Sequence, residues 1–238
     1  MERRLPLEWA VTQIISDDPA KGLGQASPEA LFPNKLEKIV GEPQAEADLV
    51  APYFIPGSRG VDALVALAGR GIKIRILSNS LEATDAVPAV HAFYAKRRKP
   101  LLEGGIELYE LRRLAPAVEA RRDGSPSGSS PSSLHAKTFS VDRERVFIGS
   151  FHFDPRSAEL NTELGFVIQS PALAKEIRAV FDNRIASHAY EVRLSDGKLY
   201  WLEYRDGQWL RHDTEPGTTF YRRAGVCFLS ILPIEWLL

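Results

Sequence analysis

The first half of the chain alternates two hydrophobic patterns, one typical of strands and one typical of helices. Mostly apolar runs at Asp48–Ile55 and Ile106–Leu111, and the alternation of isoleucine with basic residues at 72–76, predict strands. Between them, Val61–Ala68 and Val87–Leu102 space their apolar residues at helical intervals. This order of strand, helix, strand, helix and strand predicts a sheet with helices packed against it.

Residues 1–40 show no comparable strand pattern. Asp17-Asp18-Pro19 favours a turn, and Leu31–Val40 spaces its apolar residues loosely at helical intervals. We therefore expect irregular backbone followed by one helix in this part of the chain.

The second half of the chain contains further strand patterns. They lie at Leu134–Val141, Arg145–Ile148 and Glu163–Ile168. Asp142-Arg143-Glu144 is expected to form the tight turn between the first two strands, and Pro171 to open a helix that runs to about Ser187. The low-complexity stretch at 123–133 is either a flexible linker or a mobile lid.

The character of the sequence changes after residue 188. Short aromatic-rich segments joined by Asp-Gly steps predict a small antiparallel meander: Tyr190–Leu194, Lys198–Tyr204 and Gln208–His212. The largely apolar tail at Val226–Leu238 is too short to span a membrane, and it either packs on the protein or lies in a lipid interface. We therefore expect a larger part at 1–188 and a small C-terminal part at 189–238.

Composition narrows the class of protein. With 238 residues, 44% of them hydrophobic, the chain can bury a sizeable core as one large domain or two modest ones. A net charge of −1 provides no overall field that would attract nucleic acid or anionic lipid. The single cysteine, Cys227, excludes an internal disulfide, and the residues after Met1 lack the apolar segment of a secretory signal. No clustered Cys/His/Asp ligands and no glycine-rich phosphate loop occur, so we expect no metal or nucleotide cofactor.

One stretch carries most of the chemical information: His135-x-Lys137, then Asp142, then Gly149-Ser150. Residues two apart share one face of a strand, so we expect the side chains of His135 and Lys137 to lie side by side. A nucleophile or base next to a fixed positive charge suits chemistry on a phosphodiester. The pattern occurs once in the chain.

This pattern resembles the HKD motif of the phospholipase D superfamily. The flanking segments Phe147–Ser157 and Leu160–Phe166 resemble bacterial cardiolipin synthases still more closely. The resemblance runs from about Pro6 to Leu238 and corresponds to the C-terminal half of those proteins. It implies an α/β (α+β) fold, a mixed sheet flanked by helices, here followed by the antiparallel meander and the apolar tail.

The resemblance also implies roles for the motif residues. In the superfamily, the histidine of one motif attacks phosphorus, and that of a second motif protonates the leaving alcohol and then activates the acceptor. His135 takes one of these roles, and Lys137 binds the non-bridging phosphate oxygens. Ser150 would lie near the phosphate, and Glu163 would accept the second ring N–H of a catalytic histidine. Asp142 belongs to the motif but is expected to stabilise the turn after the strand.

One position departs from the superfamily pattern, because His152 stands where an asparagine is usual. An amide donates a hydrogen bond at any pH, whereas an imidazole donates according to its tautomer and charge. We hypothesise that this replacement weakens turnover without abolishing it.

A second group of candidates lies on the predicted helix at Val87–Leu102. Helical spacing places His91, Tyr94 and Arg98 on successive turns. They either contact a lipid headgroup phosphate, for which arginine is well suited, or form a solvated basic face.

As a whole, the resemblance implies a phosphatidyltransferase of the cardiolipin synthase type, with phospholipids such as phosphatidylglycerol as substrates. Two alternatives stay open: a phospholipase or nuclease that uses water as the acceptor, and an inactive half that needs a second motif-bearing chain. A nuclease would be more basic, so nucleic acid is not an expected partner. With one motif, an active chain is expected to form a homodimer or to pair with a second half. We expect it in the cytoplasm, peripheral to the inner face of the cell membrane.

Overall fold

The computed structural model describes residues 8–84, 88–113 and 134–232. The α-helices are α1 (Phe32–Val40), α2 (Gly57–Gly69), α3 (Pro88–Glu103), α4 (Pro155–Glu159), α5 (Pro171–Ala179), α6 (Ile185–His188) and α7 (Phe220–Ile231). The strands are β1 (Val11–Ser16), β2 (Glu46–Val50), β3 (Lys73–Asn79), β4 (Glu107–Leu111), β5 (Thr138–Val141), β6 (Arg145–Gly149), β7 (Leu164–Gln169), β8 (Ala189–Ser195), β9 (Lys198–Arg205) and β10 (Gln208–His212). Two 3₁₀ helices, Pro19–Leu23 and Pro28–Ala30, precede α1, and a π-helical segment, Val180–Arg184, joins α5 to α6.

These strands form one mixed sheet in the order β1-β7-β6-β5-β2-β3-β4-β8-β9-β10. Strands β2, β3 and β4 run parallel and are connected through α2 and α3, whereas the other neighbours pair antiparallel. The predicted mixed sheet flanked by helices is confirmed, and so is the meander of β8 to β10 with its Asp-Gly turns. Because β8 pairs with β4, the sheet continues across residue 188. The division into parts 1–188 and 189–238 stays a prediction.

Helices cover both faces of the sheet. On one face, α1 buries Phe32 and Leu36 in the main core, to which α2 and α3 also contribute. These two side chains lie one helical turn apart, so they point the same way. On the other face, the segment from α5 to α6 places Phe181 and Ile185 against β2 and β3. Strands β2 and β3 are therefore buried on both sides.

The sequence prediction for the N-terminal region was wrong in one respect, since residues 11–16 form strand β1. It pairs antiparallel with β7, from Val11↔Gln169 to Ser16↔Leu164. Only Ile15 of this strand is buried, so the alternation of apolar and polar residues that reveals most strands is absent. Backbone pairing with β7 defines this strand.

The expectation that His135 and Lys137 lie on a strand was also wrong. Strand β5 begins at Thr138, which pairs with Val50, the last residue of β2. The segment before Thr138 keeps one backbone bond to β6, which the Gly149 N–H donates to the Lys137 carbonyl at 3.1 Å. The predicted strand at Asp48–Ile55 is likewise shorter and earlier, at Glu46–Val50.

The C-terminal apolar segment forms α7, which packs on α3 through the buried Val226 and is exposed at Phe228. The rest of the predicted tail, 233–238, and the low-complexity stretch at 123–133 lie outside the described residues. In the part of the chain that the structure describes, no helix is long and apolar enough to cross a membrane.

Candidate active site

Asn79 holds the chain immediately before His135. Its side-chain oxygen accepts the backbone N–H of Leu134 at 3.0 Å, and its amide nitrogen donates to the Leu134 carbonyl at 3.3 Å. Asn79 is the last residue of β3, so these bonds tie the motif to the carboxyl end of the parallel strands, where α/β sheets commonly bind ligands. Asn79 and Leu134 are 55 positions apart in the sequence, and no sequence motif predicted this contact.

The side chains of His135 and Lys137 lie together in the segment that leads into β5. Lys137 Nζ is 3.4 Å from His135 Nε2 and donates a hydrogen bond to the His135 carbonyl at 3.0 Å. His135 is exposed, whereas Lys137 is half-buried. Burial lowers the pKa of Lys137, and the Glu163 carboxylate acts in the opposite direction. An accessible imidazole thus stands beside an ammonium group.

Ser150 and Glu163 meet at the same edge of the sheet. The Ser150 hydroxyl donates to Glu163 Oε2 and accepts the backbone N–H of Leu164 at 3.0 Å. Glu163 is buried, so its carboxylate is held next to the motif rather than in solvent. The resemblance predicts that the Glu163 carboxylate accepts a hydrogen bond from a histidine ring. In this structure it accepts one from the Ser150 hydroxyl.

His152 faces the site because its neighbours face the core. Phe151 and Phe153 pack on each other, with ring centroids 5.4 Å apart, and the His152 ring between them lies 5.1 Å from the ring of Tyr53. Burial, and then the electrostatic effects of Lys137 and His135, lower the pKa of His152 to about 4. The imidazole is therefore neutral near pH 7. Its Nδ1 is buried and has no hydrogen-bond partner among the described residues.

Two residues that the sequence analysis did not select hold Glu163 in place. The Asp17 carboxylate accepts the backbone N–H of Glu163 at 3.0 Å and that of Phe32 at 2.7 Å. It also forms an ion pair of 2.6 Å with Lys21, and both of these side chains are fully buried. Lys21 donates in addition to the Ser157 carbonyl at 2.8 Å. A lysine in a short polar segment is usually a surface residue, so the sequence pattern could not reveal the buried pair of Asp17 and Lys21.

Asp142 lies at the opposite end of β5 from the other motif residues. Its carboxylate accepts three successive backbone N–H groups, those of residues 44–46, at 2.8–3.2 Å, and pairs with Arg145 at 3.2 Å. Asp142 and Arg143 adopt φ values of 54° and 61°, the left-handed geometry of a tight hairpin turn. The structure does not bring Asp142 into the site, and its contacts are those of a residue that stabilises the turn.

The candidates on α3 are buried rather than exposed. Arg98 pairs with Glu110 at 2.7 Å and with Glu215, and it donates to His91 Nε2 at 2.7 Å. Burial and the Arg98 charge lower the pKa of His91. The solvated-face alternative is therefore wrong. The Arg98 guanidinium is already engaged by two carboxylates, and His91 Nε2 lies 3.1 Å from Glu215 Oε1 as well, so both side chains are occupied within the protein.

A narrow cavity of about 10 Å³, room for a single water molecule, connects α3 to the site. It is lined by Pro52, Tyr53, Phe54, Ser78, Asn79, Thr84, Val90, His91 and Tyr94. Tyr53 also contacts His152, and Asn79 also holds Leu134. His91 and Tyr94 are thus separated from His152 and Leu134 by one layer of side chains, and their role as substrate contacts stays a prediction.

Comparison with known proteins decides the family. A family model described as cardiolipin synthase, PLD-like domain, matches residues 36–185. This chain belongs to the phospholipase D-like family. The match contains every motif residue, from His135 to Glu163, but not the pair Asp17 and Lys21.

Curated relatives place the chain within this phospholipase D-like family more closely. Cardiolipin synthase C of Escherichia coli strain K12 is 46% identical over 235 residues, which are 98% of this chain and 50% of that protein. The chain therefore spans about half the length of this curated relative.

Solved structures agree on the fold. The phospholipase D family member Nuc from Salmonella typhimurium aligns with a TM-score of 0.54 and 19% identity over 78% of this chain and 100% of that chain. The phosphatidylserine synthase of Haemophilus influenzae Rd KW20 aligns with a TM-score of 0.54 and 16% identity over 76% of this chain and 39% of that chain. At such identities the likeness shows the phospholipase D fold.

Proposed function

We propose that this chain carries one half of a phosphatidyl-transfer site of the cardiolipin synthase type. The observation that supports the proposal best is the accessible His135 imidazole 3.4 Å from the Lys137 ammonium, in a chain of the phospholipase D-like family. Ser150, bonded to Glu163 at the same sheet edge, adds a hydroxyl next to a buried carboxylate. Together they provide a nucleophile and a fixed positive charge for a phosphodiester.

The proposed reaction has two displacements. In the first, Nε2 of His135 attacks the phosphorus of a phospholipid, the bond from phosphorus to the headgroup oxygen breaks, and the leaving alcohol takes a proton from an acid on a second motif. In the second, a hydroxyl of an acceptor lipid attacks phosphorus, loses its proton to that same group, and releases His135. Lys137 holds the charge on the non-bridging oxygens in both steps. In a symmetric pair, the way the substrate binds decides which histidine attacks.

The proposed substrates are phospholipids, with a phosphatidylglycerol-like lipid as the acceptor. The name of the relative from Escherichia coli supports this choice. The net charge of −1 argues against a nucleic acid substrate, since nucleases hold a polyanion through many basic contacts. We propose a peripheral position at the inner face of the cell membrane.

The reaction also needs a second motif, and we propose that another copy of this chain or a separate half supplies it. An uncovered apolar row supports such a partner. Ile14, Phe166 and Ile148 lie directly across from one another on β1, β7 and β6, and each is at least 40% exposed. Exposed Leu164 extends the row to the position next to Glu163. Helices α5 and α6 cover the neighbouring strands on this face of the sheet but leave the row open.

An assay of phosphatidylglycerol conversion tests the proposal. Wild-type protein should form cardiolipin, and His135→Ala should form none, whereas His188→Ala, outside the site, should keep the wild-type rate. A donor labelled at phosphorus should leave acid-labile label on the wild-type protein only. Gel filtration of the same samples should show a dimer, and an active protein that is strictly monomeric would contradict the second-motif requirement.

Two other outcomes favour the alternative functions. Headgroup release without cardiolipin, dependent on His135, would identify a hydrolase. No turnover by this chain, restored by adding a second motif-bearing half, would identify a half-enzyme. The half-length match to the cardiolipin synthase gives this last alternative its support.

A further inference from the structure

Helix α7 presents an apolar face to solvent that nothing in the described structure covers. Phe220, Tyr221, Phe228 and Ile231 are 71%, 85%, 64% and 76% exposed. At 3.6 residues per turn, these four side chains fall within an arc of about 100°. An exposed apolar patch of this kind on a protein is typical of an interaction surface.

The opposite face of α7 fixes the helix to the protein. Val226 is buried against Leu81 and Ala92, and Leu229 packs on Ile55 and Phe93. The segment before the helix is anchored as well, because Glu215 pairs with the buried Arg98. The exposed face is therefore held in a defined orientation.

Helix α7 lies next to the candidate active site. Ile55, which contacts α7, is two residues from Tyr53, whose ring lies against His152. The backbone N–H of Ile55 donates to the Phe153 carbonyl at 2.7 Å, so the loop that supports α7 is bonded to the segment that carries His152. Whatever binds the exposed face of α7 is brought close to the site.

The charge of α7 favours an anionic partner. The helix contains Arg222 and Arg223 and no acidic residue. The Arg222 guanidinium donates to the Thr84 carbonyl, and that of Arg223 donates to the carbonyl and hydroxyl of Thr218. These acceptors are neutral. At about 100° per residue, Arg222 lies on the protein-facing side of α7 near Leu229, whereas Arg223 lies beside the exposed face, where its charge can meet an anionic surface. Helices that lie in the membrane interface commonly combine aromatic side chains with arginines.

We propose that the exposed face of α7 is the surface by which this protein binds an anionic lipid bilayer and presents its site to lipid headgroups. The proposal rests on the proposed function for its lipid substrate. The face inserts Phe220, Tyr221, Phe228 and Ile231 among the acyl chains near the headgroups, while Arg223 at its edge attracts the anionic surface. Because the buried face of α7 packs on Ile55, membrane binding also positions the loop that contains Tyr53.

Cys227, the only cysteine of the chain, offers a probe because it is exposed directly beside Phe228. Protein labelled there with an environment-sensitive fluorophore is mixed with vesicles of phosphatidylglycerol and phosphatidylethanolamine, or of phosphatidylcholine and phosphatidylethanolamine. Emission should shift to the blue with the first vesicles and much less with the second, and added salt should weaken the shift. An unchanged emission with both kinds of vesicle would overturn the proposal.

Vesicle sedimentation with unlabelled variants supplies the matched comparison. Phe228→Ser combined with Phe220→Ser should reduce the bound fraction about tenfold or more. Leu23→Ser, which removes an apolar side chain that is 74% exposed elsewhere, should leave binding unchanged. Equal binding by both variants would overturn the proposal. So would conversion of a dimer to a monomer by the α7 variant, because the face would then be a protein interface.

Failure of the proposed function gives a different result. His135→Ala should still bind vesicles as the wild type does, since it leaves α7 intact. Vesicle binding without any turnover would uphold the docking surface and count against the enzyme. If wild type and the α7 variant turn over a water-soluble phosphodiester at equal rates and neither binds vesicles, the enzyme is upheld and the docking surface is rejected. Circular dichroism melting of each variant verifies that it is folded.

Discussion

The ammonium nitrogen of Lys137 lies 3.4 Å from Nε2 of His135. An ammonium group only donates hydrogen bonds, so in this contact an unprotonated Nε2 is the acceptor, and attack on phosphorus needs the same unprotonated nitrogen. In the proposed reaction the same ammonium holds the phosphate oxygens on which negative charge develops. This contact would then couple the proposed nucleophile to the group proposed to stabilise the transition state.

Lys137→Met should therefore remove most of the activity and leave the fold unchanged. We expect kcat to fall by about 10²–10³-fold, the usual effect of losing one group that stabilises developing charge. Lys175→Met, on the exposed side of α5, is the matched control and should keep the wild-type rate. Phosphatidylglycerol conversion and thermal melting measure the two properties. A Lys137→Met protein with wild-type kcat would remove the lysine from the mechanism.

His152 should make the stability of the protein depend on pH in the acidic range. Its pKa is lowered from 6.5 to about 4 in the folded protein, mainly by burial. The unfolded chain therefore binds a proton first as the pH falls below about 6.5, and the folded state loses stability until the pH reaches about 4. His152→Asn lacks this titration, so its melting temperature should rise relative to wild type as the pH falls through this window. A difference that is the same at pH 7 and pH 4.5 would contradict the prediction.

The same variant tests the departure from the superfamily motif. An asparagine at position 152 should donate to a phosphate oxygen whatever the pH, so we expect His152→Asn to raise kcat. Steady-state rates across the pH range measure this effect. No gain in rate at any pH would refute the hypothesis that His152 weakens turnover.

The buried pair of Asp17 and Lys21 should be essential for stability. Lys21→Met leaves the Asp17 carboxylate without its cation, and we expect the free energy of unfolding to fall by about 3–5 kcal/mol. The exposed pair of Arg70 and Glu42 is the matched control, and Glu42→Gln should cost about 1 kcal/mol or less. Urea unfolding measures both values. Similar small losses for the two variants would show that the buried pair does not hold the fold.

Gly149 should not tolerate a side chain. A Cβ at this position would lie 2.6 Å from the Leu164 carbonyl oxygen and 2.6 Å from Cζ of Phe147, so Gly149→Ala should destabilise the protein by about 1–3 kcal/mol. Gly69 has open space around it, and Gly69→Ala within α2 should be neutral or stabilise by about 0.5–1 kcal/mol. We expect the melting temperature to fall for Gly149→Ala but not for Gly69→Ala. This contrast distinguishes local crowding from a general effect of replacing glycine.

Much of the fold followed from local patterns. Ile74 and Ile76 predicted β3, the spacing of Leu31–Val40 predicted α1, and the Asp-Gly steps predicted the meander. Each of these signals is contained in a short window of sequence. Strand β1 was missed because only Ile15 is buried, and the start of β5 was placed too early because it depends on the pairing with β2, which begins at Thr138↔Val50.

The candidate site shows the same division. The spacing of His135 and Lys137 and the resemblance of the flanking residues pointed to phosphodiester chemistry from the sequence. The support for those residues comes from Asn79 and Asp17, which lie far away along the chain. Nor did the pattern on α3 reveal that Arg98 is buried between two carboxylates.

The sequence by itself determined the family, the order of the strands from β2 to β10, and the chemical types in the motif, because these depend on residue identity and short-range spacing. Only the tertiary structure decided that Ser150 meets Glu163, that a buried Asp17–Lys21 pair holds that glutamate, and that α7 keeps one apolar face exposed. The physical reason is that burial and long-range hydrogen bonding depend on which segments the sheet brings together. No local pattern contains that information.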